Sequence, residues 1–310
     1  MKQFIIKIGA FSLLILLSIL GVFCLADGST DAMYLRFTTP SQKSLIIGAS
    51  RGAQGIHPKE VNRILNRDDL YNYAFQGPNS PYGEIYLESI KRKLDTSTKH
   101  GLFILDVSPW TLGLRKNSET GEEYLSEEDG FIDNTNFVSL NPNIEYLIES
   151  LDKRYSDIIR NRIKKGKNLT YLIEDDGWLH VTLKPDQKSR EYRTNKKIER
   201  YTKKLEDYHG VSEYRKESLV KTIQFLKQYG QVYLVRMPVI ERMLAVENQL
   251  MPNFDAMMQE ISEQNTALFI NMMPDRDSYS FTDGNHLDKI SGTQFSKDLA
   301  NKIKILQNDK

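Results

Sequence analysis

Cysteine is almost missing from this chain of 310 residues: Cys24 stands alone. One thiol excludes an intramolecular disulfide and a cysteine-built metal cluster. Histidine is scarce too, at five (His57, His100, His180, His209 and His286). None of the others lies at a ligand-like interval from His286, so no metal is expected. There is no excess charge of either sign, since the net is +1, and a value so near zero predicts no partner. Internal repeats, low-complexity tracts and nucleic-acid recognition motifs are lacking as well. Nucleic acid is therefore not an expected partner.

Long apolar runs are also lacking, with one exception. The 19 residues from Ile8 to Ala26 carry no charge and follow Lys2 and Lys7. Such a run spans a bilayer as a helix, with lysines holding its start in the cytoplasm. Residues 1–26 are thus expected to be an inner-membrane anchor that leaves the domain outside the cytoplasm. The alternative is a signal peptide cut near Cys24 or Ala26, which would release the chain. Export without disulfides suits a bacterial envelope, and in that setting the "NLT" at Asn168 has no weight as a glycosylation site.

The remainder, 27–310, reads as one α/β domain. "SLIIG", "LYNYAF" (70–75), "LFILDV" (102–107), "QVYLVRMP" and "ALFINMMP" are short apolar strands. Between them lie amphipathic helices such as "YGEIYLESIKRKL" and "LVKTIQFLKQYG", the latter with Leu219, Ile223 and Leu226 on one face and a stop at Gly230. Strands apolar throughout, alternating with helices, predict a central parallel sheet covered on both faces, a three-layer α/β/α sandwich. A helical basic insertion is expected at about 141–228. Ile144, Leu147, Ile148, Leu151, Tyr155, Ile158 and Ile159 mark one face of a long helix there. From Lys153 to Lys204 there are 16 lysines and arginines against 7 acids, a surplus of +9, which leaves the rest near −8.

"LIIGASRGAQGI" (45–56) supports two readings. As a dinucleotide turn it places Gln54 where a glycine is needed, and Pro58 interrupts the helix that should face the pyrophosphate. The pair Tyr192 and Lys196 matches a dehydrogenase motif only nominally, within a charged segment. As a nucleophile turn it exposes Ser50 at the end of a buried strand. A serine hydroxyl needs an adjacent base, itself oriented by a carboxylate. His286 answers that need, with Asp283 three residues before it in "FTDGNHLDKISG".

On these motifs the chain resembles the SGNH/GDSL hydrolases. "IIGASRG" is similar to the first block of that family, "YNYAFQGPNSPYGEIYLESI" to the second, and "DGNHLDKISG" to the last. The resemblance implies Ser50 as nucleophile, His286 as base and Asp283 as the acid that orients it. It also implies backbone N–H groups of Ser50 and Gly77 at the oxyanion. The asparagine of the third block, expected after "LFILDV", is replaced by "LDVSPWTLG", which offers Asp106 and Ser108. Asn79 is the candidate substitute.

The resemblance implies an esterase or O-acyltransferase working through an acyl-serine, without a cofactor, on an acylated glycan or other envelope polymer. The alternative is a non-catalytic assembly protein that keeps the fold and binds polymer through its basic insertion. Arg51, beside the nucleophile, and Arg236, at the carboxyl edge of a strand, are candidate substrate contacts. Trp110 and Trp178 are candidate stacking platforms for sugar rings, with packing as the plainer role.

Overall fold

The structure is a computed structural model that describes residues 1–75, 80–117, 120–128, 130–164 and 170–308. Gly77, Asn79 and Asn168 lie outside the described residues.

Five strands make the central sheet: β1 Ser44–Ile47, β2 Leu70–Asn72, β3 Gly101–Asp106, β4 Gly230–Arg236 and β5 Leu268–Asn271. They pair in the order β2-β1-β3-β4-β5, all parallel. Side chains alternate across a strand, and here both faces are apolar. Leu45, Ile47, Phe103, Leu105, Val232 and Leu234 join one core, with Tyr86 and Ile90 of helix Glu84–Lys93, Leu219 and Ile223 of Glu213–Leu226, and Phe254 and Met258 of Phe254–Gln264. Ile46, Leu102, Ile104, Tyr233 and Val235 join the other, against Val61 of Pro58–Leu65 and Phe295, Leu299 and Ile303 of Lys289–Asn308. The chain is a three-layer sandwich. Each large side chain fully buried there contributes about 1.5–3 kcal/mol.

β3 and β4 begin with facing glycines in register, Gly101 and Gly230. A Cβ on Gly230 would fall 1.9 Å from the Gly101 carbonyl oxygen, so the two central strands approach more closely there than any side chain permits.

The connection from β3 to β4 is less uniformly helical than expected. It carries two small antiparallel ribbons, Gly113–Arg115 with Tyr208–Val211 and Tyr171–Ile173 with Leu179–Val181. Its final helix, Glu213–Leu226, is part of a sandwich layer. The single long helix expected from Ile144 onward is two short ones, Ile144–Glu149 and Tyr155–Ile163. A fresh start intervenes, where the Asp157 carboxylate accepts the Arg154 N–H at 3.4 Å. Of the seven apolar positions on the expected face, only Leu147 and Ile158 are buried.

Helix Lys2–Phe23 has 22 residues and a mean hydropathy of 2.4 over its most apolar window. At 1.5 Å per residue it is about 33 Å long, against a hydrocarbon core of about 30 Å. It is exposed along its length except in its last turn, where Leu20 and Val22 are half-buried and Phe23 is buried with its ring 5.2 Å from that of Tyr155. It fits a signal anchor or signal sequence.

Behind the sheet, Arg215 donates to Glu127 Oε2 at 2.8 Å and to the Tyr82 carbonyl at 2.9 Å, and both charged residues are buried. Removing one partner of such a pair leaves a buried charge uncompensated, at a cost of about 3–5 kcal/mol. Glu127→Ala is accordingly expected to lower the chemical-denaturation midpoint by an equivalent amount. A loss below about 1 kcal/mol would mean that solvent reaches Arg215 and that the pair does not tie the loop around Glu127 to helix Glu213–Leu226.

Candidate active site

In a sheet of order 2-1-3-4-5 the connections reverse direction between β1 and β3, which opens a crevice at the carboxyl ends of those strands. Ser50 occupies that position. β1 ends at Ile47, Ala49 is extended, and Ser50 begins the helix Ser50–Gly55. The turn is pressed against the last residue of β3: a Cβ on Gly48 would lie 2.5 Å from the Asp106 Cβ. Asp106 accepts the Gly52 N–H at 2.9 Å, which fixes the start of the helix from behind. Burial pushes its carboxyl up to about 6, against the opposing pull of Arg51 and of the Gly52 and Ala49 amides. Ser108 accepts no part in the cleft either, because its N–H donates to Thr111 Oγ1 at 3.0 Å in a local cap. Neither residue lines the cleft.

The structure brings Ser50, His286 and Asp283 together. Ser50 Oγ lies 2.8 Å from His286 Nε2. His286 Nδ1 lies 2.9 and 3.0 Å from the two oxygens of Asp283. The three-residue spacing lets one loop hold both, and Asp283 Oδ1 accepts the backbone N–H groups of Asn285 and His286 at 3.1 and 3.0 Å. Lys197 adds an ammonium 2.9 Å from Asp283 Oδ2. Burial opposes the charge on Asp283, but His286 and then Lys197 overcome it and hold the carboxyl well below its usual range. Burial pushes the His286 imidazole below its ordinary value. Asp283 pulls it back up, while Lys197 and Arg51 push it down. At neutral pH the ring is therefore neutral. Its Nδ1–H points to Asp283, and its Nε2 lone pair faces the Ser50 hydroxyl at 2.8 Å, with the Asn285 amide nitrogen farther off at 3.4 Å, the arrangement a serine nucleophile requires.

Arg51 and Arg236, the candidate substrate contacts, do not line the cleft; both are buried and engaged by acids. Arg51 donates through Nε and a terminal nitrogen to Asn285 Oδ1 at 3.1 and 2.6 Å and also pairs with Glu247. Arg236 pairs with Glu247 at 3.3 Å and with Asp255. Glu247 is fully buried and shares a helix face with Met243, Val246 and Leu250. A carboxylate at helical spacing among apolar residues was the available signal for it. Lys197 and Asn285, hidden in charged and polar stretches, gave none.

Trp110 packs edge-on against Tyr201 and Tyr208 at 4.7 and 5.4 Å. Trp178 donates its indole N–H to the Gln54 carbonyl at 2.8 Å and covers the His57 ring at 3.9 Å. Both serve packing. His57 itself is pushed down to about 3, chiefly by burial and then by Lys289. Among the described residues, no three histidine, cysteine, aspartate or glutamate side chains gather as a metal site.

The triad opens onto a cleft of about 530 Å³. One wall is the helix Gln187–Lys204, through Lys197, Arg200, Tyr201 and Lys204, and the other is Tyr171, Val181 and Leu183. Because Lys197 repels the imidazolium, Lys197→Met is expected to raise the titration midpoint of His286, followed by NMR of the imidazole carbons. In the unsubstituted protein that midpoint lies below 6.5. An unchanged midpoint in the variant would remove Lys197 from the electrostatics of the base.

No family model matches the chain, and no curated protein matches it at a significant level.

Proposed function

We propose that the protein is an SGNH-type serine esterase or O-acyltransferase that acts on an O-acyl ester of an envelope carbohydrate. The observation that carries this reading is the unbroken hydrogen-bonded relay from Ser50 through His286 to Asp283, at the mouth of a cleft. Ser50 Oγ attacks the ester carbonyl carbon as its proton passes to His286 Nε2. The tetrahedral intermediate collapses, the alkoxide leaves with that proton, and the acyl group stays on Ser50. Water or a sugar hydroxyl then gives its proton to His286 and attacks the acyl-serine, and Ser50 takes the proton back. Asp283 stays ionised throughout and stabilises the imidazolium. The Ser50 N–H, in the first turn of its helix where amides lack intrahelical acceptors, is the oxyanion donor among the described residues. Gly77 and Asn79 are the proposed others. Each such donor is worth about 10²–10³ in rate.

A second reading, a non-catalytic assembly protein that binds envelope polymer, is favoured by one observation. The stretch "LDVSPWTLG", where the family pattern has a donor asparagine, holds none, and Asp106 there accepts the Gly52 N–H behind the turn. The two readings separate on reactivity. A fluorophosphonate should label Ser50, and Ser50→Ala and His286→Ala should each abolish labelling with melting temperatures near that of the parent. Labelling that persists in Ser50→Ala would remove the proposed nucleophile, and no labelling of the parent favours the second reading.

The envelope setting requires the domain to lie outside the cytoplasm, with Lys2–Phe23 as its inner-membrane anchor. A reporter that matures only after export, fused after Lys310, should be active. Activity of a strictly cytoplasmic reporter in its place would reject the topology and the envelope substrate with it.

A further inference from the structure

Helix Gln187–Lys204 carries basic residues on all sides, but they are not equivalent. Lys196, on the outside, pairs with Glu199 at 2.9 Å, and Arg190, toward the sheet domain, lies 3.6 Å from Asp288. On the face toward Ser50, Lys197, Arg200 and Lys204 follow at intervals of three and four, the spacing that stacks side chains along one line. All three line the cleft. Lys197 is engaged by Asp283, whereas Arg200 and Lys204 form no ion pair among the described residues. Their charged ends lie 5.7 and 5.1 Å from the Tyr201 ring. Lys204 also feels Arg115 and Lys197 as further cations, with Asp207 as the opposing acid, and burial together with these like charges lowers its affinity for a proton. Cations held side by side repel one another, so the arrangement is stabilised by any anion that enters. A guanidinium beside an ammonium suits an oxyanion, the first by paired hydrogen bonds and the second as a point charge.

We infer that Arg200 and Lys204 form an anion subsite next to Ser50, so that the unit bound in the cleft carries a carboxylate or a phosphate. This inference rests on the acyl-serine reading only in making that unit the bearer of the ester. It places the anion along the helix from the reacting carbonyl, where binding energy remote from the bond being broken can align the ester. Among the described residues the opposite wall, with Val181 and Leu183, is uncharged.

The test is calorimetric titration of the full chain in neutral detergent, carrying Ser50→Ala so that nothing bound turns over. Polygalacturonate supplies carboxylates, poly(glycerol phosphate) supplies phosphodiesters, and dextran is the neutral control. One polyanion should bind and dextran should not, and the one that binds identifies the anion. Adding Arg200→Gln with Lys204→Gln should weaken binding at least tenfold. Lys184→Gln with Lys188→Gln, which removes the same charge at the far end of this segment, should change it less than twofold. The melting temperature of each variant establishes that it is folded. The inference is overturned if neither polyanion binds, if the Arg200 and Lys204 pair has no effect, or if both double variants weaken binding equally. Fluorophosphonate labelling of the parent, run alongside, keeps the two readings apart. Labelling without polyanion binding overturns the anion subsite alone. Binding without labelling upholds the subsite and overturns the acyl-serine chemistry.

Discussion

The arrangement at the carboxyl edge of the sheet depends on one buried cation. Arg51 follows the serine directly in sequence, and its guanidinium is held by Asn285, which directly precedes the histidine. One side chain thus joins the neighbour of the hydroxyl to the neighbour of the imidazole, and it is closed off from water by Glu247 on the far side. Glu247 is shared with Arg236 at the end of β4. Four segments distant in sequence are in this way locked to one frame before Ser50 and His286 form any bond of their own. A buried pair of this kind gives little net stability compared with apolar packing, but it is strongly destabilising to break. Its structural value lies in direction: charge-assisted hydrogen bonds have a required geometry that apolar contacts lack.

The β3-to-β4 connection has a larger part than that of an appendage. Its helix Gln187–Lys204 sends Lys197 to Asp283, and its ribbon supplies the uncharged wall of the cleft. Toward the sheet domain its cations reach Asp283 and Asp288 or gather along the cleft, while Lys196 on the outside pairs with Glu199. The surplus of +9 along this stretch is therefore divided among distinct surroundings, which a running count of charge cannot reveal.

Much of the fold was legible because the sheet is buried on both sides. Strands such as "LFILDV" are apolar at every position, and the helices between them show a clear stripe, so the layers follow from composition and periodicity. The connection was harder. The apolar spacing from Ile144 to Ile159 continues smoothly across the break between two helices, and local capping at Asp157 decides that break. At the site, Ser50, Asp283 and His286 could be picked out because each lies in a short motif whose spacing reflects its geometry. Arg236 was placed at the correct edge of the sheet, but its side chain follows the Glu247 charge inward, a choice made by a residue 11 positions later. Asn285 and Lys197 act through tertiary contacts alone and leave no periodic trace.

Ser50 and His286 meet although they stand 236 positions apart in sequence. The imidazole is held in place by the helix Lys289–Asn308, which packs on Ser50–Gly55 and Pro58–Leu65. A ribosome releases the hydroxyl long before the ring, so throughout most of synthesis the serine is an ordinary alcohol on an unfinished sheet. β4, β5 and the last helix must all be present before the relay exists. The timing of reactivity is thus set by chain order: a product that stops short of His286 carries the serine without its base.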